Sequence, residues 1–311
     1  MTDIVADIGG SNARFAVAGV DDSLQRVQIF PCADFSRLED AISRYLQNTA
    51  CGDVRRICLA VAGPVDGDWV DVVNNHWQFS RAGLEASLGI SLTVINDFTA
   101  QAFCLDLLQD NDLVWLGDAR PTGGQIRAVL GPGTGLGVAA LLPGGEIVPS
   151  EGGHVAFAPT DPHQLELLQI LWRRHGRVSV ERILSGQGLE NLYWANSQLQ
   201  GKENKLTDRE ITARAKAGDS LCRKTIEDFL DIFSSVAGDF ALQFWAAGGV
   251  YLTGGVVARV WEFADPERFR HRFEDKGRYR GYCASFPLAL VRTEQPGLLG
   301  CIAALKNRDQ T

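Results

Sequence analysis

Apolar residues recur along this chain at two spacings. Near the N-terminus they form short runs that predict strands at residues 4–7, 14–20 and 28–32. The period then changes: Leu38, Ala41, Ile42, Tyr45 and Leu46 share one face of a helix expected over 36–46. "RRICLAVAG" and "LTVIND" read as buried strands, the second ending at Asp97. "RAVLGPGTGLGVAALL" reads as strand, glycine turn, strand. From residue 161 onward the pattern is mainly helical, with the longest helix expected over 220–246. A buried strand in "GVYLTGG" follows, and a helix over 297–306 starts after Pro296. The polar stretch "NSQLQGKENKLTDRE" is expected to be a surface loop. Strands alternating with helices make this an α/β chain.

One pattern occurs twice. "GSNARFAV" at 10–17 and "GTGLGVAA" at 133–140 each carry a glycine, then Ser or Thr, then three residues, then an apolar strand. Two related halves are expected, with their small-residue turns facing one cleft. Such turns leave backbone N–H groups uncovered, and successive free N–H groups bind anions. Asp7, just before the first turn, suits a hydrated Mg²⁺ that binds through one or two carboxylates and phosphates. The plainer reading of either turn alone is an ordinary tight hairpin. A third glycine pair, Gly254-Gly255 in "YLTGGVVARV", ends a strand where a helix begins, and either admits a close ligand or simply makes the turn.

Composition narrows the partners. The 311 residues carry a formal net charge of −8 with dispersed Lys and Arg, which argues against nucleic acid or an anionic membrane surface. No apolar run approaches the roughly 20 residues of a membrane span. The first residues lack a basic segment followed by an apolar run, so no secretory leader is expected. Seven scattered cysteines with no C-x-x-C pair read as reduced thiols of a cytoplasmic protein. No G-x-x-x-x-G-K-[ST] occurs. "GPGTGLG" leads into a strand and lacks dinucleotide spacing. The H-R-D and D-F-G sets of protein kinases are missing.

"DIGGSNAR", "AVAGPVDGDWV", "NNHWQFS", "INDFTA", "GPGTGLGV", "EGGHVAFAP", "ERILSGQGLENLY", "LTGG" and "PGLLG" occur in the order found in bacterial glucokinases of the hexokinase-like group, which the chain resembles nearly end to end. The resemblance implies an actin-like ATPase (ribonuclease H-like) fold with two α/β domains around a deep cleft. The small domain would be 1–108 plus 296–311, the large one 109–295. It implies transfer of the γ-phosphoryl of ATP, with Mg²⁺, to the 6-hydroxyl of glucose, and a homodimer.

Carried over residue by residue, Asn96 and Asp97 of "INDF" match the family's sugar-contacting Asn and catalytic Asp. A primary alcohol is a poor nucleophile, and a carboxylate can orient it and take its proton. Alone, Asp97 would read as a helix cap. Glu151 and His154 of "EGGH", Glu181 of "VERILSG" and Asn74 of the loop before Trp77 match sugar-binding positions. A hexose offers hydroxyls that donate and accept, which carboxylates, an amide and an imidazole can meet. Taken singly, Glu151 could be a turn residue, His154 a satisfied polar histidine and Glu181 a solvated charge. The nucleotide's phosphates and metal would fall to Ala6, Asp7, Ile8, Gly9, Gly10 and Ser11, to Gly133, Thr134 and Gly135, and to Gly254 and Gly255.

Two positions depart from the family pattern. Ser11 stands where Thr is usual and keeps the hydroxyl. Pro132 lies in the second phosphate turn and removes one N–H donor. The zinc cysteines and the helix-turn-helix extension of the related repressor–kinase group are missing. Two alternatives fit the same residues: a kinase for fructose, mannose or an amino sugar, and a sugar sensor without catalysis.

Overall fold

The structure is a computed structural model and describes residues 2–310. The chain forms two compact units, Met1–Asp110 with Thr293–Thr311, and Asn111–Arg292.

In the first unit, β1 (Thr2–Ile8), β2 (Asn12–Ala18) and β3 (Leu24–Pro31) make an antiparallel meander. Next to β1 the sheet continues through β4 (Val54–Val61); β5 (Trp69–Asp71) and β6 (Gln78–Ser80) pair separately as a ribbon, and β7 (Ser91–Asn96) completes the order β3-β2-β1-β4-β7. β1, β4 and β7 run parallel. Side chains of a strand alternate between faces. Ile4, Ala6 and Ile8 therefore meet one core, with Phe15, Tyr45 and Trp77, while Val5 meets another. The helix Leu38–Thr49 covers the first face and buries Leu38, Ala41, Ile42 and Tyr45 as its spacing predicts. Phe15 and Tyr45 stack there with ring centroids 5.2 Å apart.

The other face is built of small residues, Val5, Ala16, Cys58 and Ala60. It lets two helices press close, Asp97–Cys104 and Pro296–Gln310. A Cβ on Gly300 of "PGLLG" would lie 1.8 Å from the carbonyl oxygen of Ala100. That backbone cannot swing away as a flexible side chain could, so Gly300→Ala is expected to destabilise the protein by about 2–3 kcal/mol. Denaturant melting checks this, and an unchanged midpoint would contradict the packing.

The second unit repeats the plan. Its strands are β8 (Leu113–Trp115), β9 (Arg127–Pro132), β10 (Leu136–Leu141), β11 (Ile147–Ser150), β12 (Gly249–Leu252) and β13 (Leu288–Val291), in the order β11-β10-β9-β12-β13-β8. An antiparallel meander, β9 to β11, is again extended by two parallel strands, β12 and β13. The repeated Gly-Ser/Thr pattern thus marks the first hairpin of each of two sheets with one topology. β8 is the additional, antiparallel edge. The helix Ser220–Phe244 buries Phe229, Phe233 and Phe240 and ends at Trp245, whose φ of 49° leaves the helical region.

Candidate functional site

In open α/β sheets, ligands gather beyond the carboxyl ends of parallel strands. In the first unit those ends are Ile8, Val61 and Asn96, and the loops leaving them are tied together. The turn after β1 closes through Gly9 N–H to the Asn12 carbonyl, 3.0 Å. Ala62 N–H donates to the Ile8 carbonyl at 3.1 Å and Val73 N–H to the Ala62 carbonyl at 2.9 Å. The Asn96 amide donates to the Gly63 carbonyl at 3.1 Å. A Cβ on Gly10 would sit 2.9 Å from the Asn74 carbonyl oxygen, so the turn abuts the loop that carries Asn74. Asn74 is exposed, with φ 58°.

Asp97 departs from its expected place at the end of a strand. β7 stops at Asn96, and Asp97 opens the helix Asp97–Cys104. The cap is Asn96, whose side-chain oxygen accepts from Phe98 N–H at 2.8 Å and Thr99 N–H at 3.2 Å. Capping occupies that oxygen, while the amide NH₂ carries a second hydrogen beyond the one given to the Gly63 carbonyl. The physical reason is local: an Asn before the first turn satisfies two orphan donors.

Asp7 shares the face of Val5 and points toward the two helices. A Cβ on Gly297 would lie 2.9 Å from the Asp7 Cγ, so only glycine fits at that point of the terminal helix. In the hairpin register Arg14 stands opposite Asp7, and its Nη1 donates to Asp7 Oδ2 at 3.3 Å. Burial raises the Asp7 pKa above the usual carboxylate range, and the Arg14 charge offsets part of that. Burial also raises Asp97, together with the negative charge of Asp7, to about 6, against the hydrogen bond from Phe98 N–H. A carboxyl poised near neutrality is suited to accept a proton. Arg14 is a partner of Asp7 that the motifs do not single out, although counting the "DIGGSNAR" hairpin places it opposite Asp7.

In the second unit, Pro132 is the last residue of β9 and pairs with Leu136, so it precedes the turn rather than lying inside it. The turn Gly133–Gly135 closes by Gly133 N–H to the Gly135 carbonyl, 2.8 Å. Gly254 has φ 103°, and a Cβ there would strike the Pro132 carbonyl at 2.4 Å, so the first glycine of the pair packs directly on the hairpin. Gly186 N–H also donates to the Gly133 carbonyl, at 2.9 Å, which ties "ILSGQG" to the same turn.

Glu151, His154 and Glu181 come together. His154 Nε2 lies 3.7 Å from Glu151 Oε2 and its Nδ1 3.9 Å from Glu181 Oε1. These distances exceed hydrogen bonds, leaving polar atoms for a ligand. Glu181 Oε2 accepts from Leu136 N–H at 2.8 Å, which anchors one carboxylate oxygen and frees the other. The glycines of "EGGH" serve packing: a Cβ on Gly152 would meet the Phe240 ring at 2.6 Å, and one on Gly153 the Leu136 carbonyl at 2.3 Å.

The duplicated sheets with their paired turns are those of a sugar phosphotransferase with the actin-like ATPase fold, and comparison with known proteins agrees. Residues 4–308 match the glucokinase family. The chain is 45% identical over 315 residues to a glucokinase from Chromohalobacter salexigens, covering 99% of this chain and 98% of that one. It is similar to a solved glucokinase from an Antarctic psychrotroph, with TM-score 0.89 and 34% identity, covering 98% and 99% of the two chains. A ROK family glucokinase from Streptomyces griseus, solved in complex with glucose and AMPPNP, shares the fold, with TM-score 0.67 and 18% identity over 98% and 99% of the chains. The chain belongs to the glucokinase family, and its activity is that of a phosphotransferase with an alcohol acceptor.

Proposed function

We propose that the acceptor is the 6-hydroxyl of glucose, that the donor is ATP, and that Asp97 is the catalytic base. The observation that carries this reading is the Asp97 carboxyl, raised to about 6 beside Asp7 at the carboxyl edge of three parallel strands. In the ionised form it orients the hydroxyl and takes its proton as the oxygen attacks. Asn74, Asn96, Glu151, His154 and Glu181 bind the sugar. Ala6 to Ser11, Gly133 to Gly135, Gly254 and Gly255 serve the nucleotide, whose phosphates meet backbone N–H groups in the two hairpin turns. The Streptomyces relative's two ligands support the same pair of substrates here.

A divalent cation fits Asp7. Among the described residues no group of three or more His, Cys, Asp or Glu side chains forms a cage. One carboxylate beside a phosphate turn matches Mg²⁺, which leans on substrate phosphates and water. When bound, it supplies positive charge to the phosphates. Seven free cysteines support a reducing, cytoplasmic setting. Among the described residues no helix is long and apolar enough to cross a membrane. The homodimer rests on the family resemblance.

Coupled ADP-release kinetics on a panel of hexoses test the reading. Glucose is expected to give the highest kcat/KM. Glu181→Gln should raise the KM for glucose by about 10–100-fold, because a site built around a hydroxyl loses its paired acceptor. The KM for ATP should rise less, through the Leu136 contact. An unchanged KM for glucose would remove Glu181 from the sugar site.

A further inference from the structure

The loop "VVNNHW" holds two adjacent asparagines with different surroundings. Asn74 is exposed, whereas Asn75 is partly buried and uses both ends of its amide. Its oxygen accepts from Trp77 N–H at 3.1 Å, which shapes its own loop, and its nitrogen donates to the Gly9 carbonyl at 3.0 Å. The Cys32 thiol, 3.7 Å away, is a second donor to that carbonyl. The described peptide bonds are all trans. In a trans peptide the C=O of one residue and the N–H of the next point in opposite directions within one plane. A clamp on the Gly9 carbonyl therefore sets the direction of the Gly10 N–H. Glycine at both positions puts no side chain in the way of a flip of that plane, so its direction rests on these donors, of which the Asn75 amide is the shorter and stronger.

We propose that Asn75 is a positioning residue for phosphoryl transfer. By donating to the Gly9 carbonyl it holds the Gly9–Gly10 peptide with its N–H turned to the nucleotide's phosphates. The donation also polarises the peptide and strengthens that N–H as a donor. The inference rests on the reading of Gly9 to Ser11 as a phosphate turn and adds the residue that orients it. In this role Asn75 touches neither substrate.

Asn75→Asp separates this role from a general structural one. The carboxylate keeps an acceptor for Trp77 N–H but loses the donor to Gly9, and its charge repels the carbonyl. Titration calorimetry should show affinity for ATP lowered by about 10–100-fold, with affinity for glucose changed less than threefold. Kinetics should show the KM for ATP rising more than the KM for glucose. Asn75→Ser is the second variant: a hydroxyl can accept from the N–H two residues on but is too short to reach Gly9. It should lose about 5–10-fold in ATP affinity. Wild-type ATP affinity in both variants would overturn the proposal, as would equal losses for ATP and glucose, which mark a collapsed loop. If Gly10→Val also leaves ATP binding intact, the phosphate-turn reading itself fails. If Gly10→Val abolishes ATP binding while both Asn75 variants bind normally, only the clamp fails.

Discussion

Asp97→Asn is expected to lower kcat by about 10²–10⁴-fold while making the protein more stable at pH 7.5. Both effects come from one environment. Asparagine cannot take the proton of the attacking hydroxyl, so turnover falls with little change in sugar binding. Burial and Asp7 hold the Asp97 carboxyl at about 6, above its ordinary value of 3.8. Between those two values the folded chain binds more protons than the unfolded one, so this group's contribution to stability declines as pH rises through the window. Above pH 6 the ionised side chain costs about 2–3 kcal/mol, which Asn avoids. Melting curves of the two proteins should differ at pH 7.5 and converge near pH 4. In the parent protein kcat/KM should fall below about pH 6 as Asp97 gains its proton. A fully active Asn variant would sink the base assignment, and one with no gain in stability at pH 7.5 would contradict the buried, repelled carboxylate.

Gly10→Val is the second large effect. The Cβ of any side chain there would lie 2.9 Å from the Asn74 carbonyl oxygen and 3.2 Å from the Asn74 Cβ, and valine adds two methyl groups in a turn that must admit phosphate. ATP affinity is expected to fall by at least about 100-fold, since both the close approach and the backbone donors are lost. Because the displaced atoms belong to the loop of Asn74, glucose affinity should fall too, by a smaller factor. Calorimetry with each ligand separately reads both. Retained ATP affinity beside lost glucose affinity would move the phosphate site elsewhere.

Local information was enough for much of this. Helical spacing placed Leu38, Ala41, Ile42 and Tyr45 on one buried face, because periodicity reports which side of an element meets the core. The repeated glycine-hydroxyl pattern marked the first hairpin of both sheets, because a tight turn near a ligand restricts residue type wherever it occurs. The ordered motifs led to the family, and with it the activity, before any contact was known. Boundaries were less legible: the strand expected to end on Asp97 stops at Asn96, since a cap depends on which of two adjacent side chains reaches the free N–H groups.

What the sequence by itself determined is therefore the α/β class, the duplicated hairpins and the family. Only the tertiary structure decided what the candidate site residues do to one another. Asp7 and Asp97 are far apart in the chain, and the elevated Asp97 pKa exists because folding buries both and sets their charges against each other. Gly297 and Gly300 look like ordinary helix residues until Asp7 and the Ala100 carbonyl are found where their side chains would be. Of two consecutive asparagines, composition cannot say which one reaches Gly9. That depends on a contact between segments 66 residues apart, and burial, repulsion and close approach are properties of distances that a linear pattern does not contain.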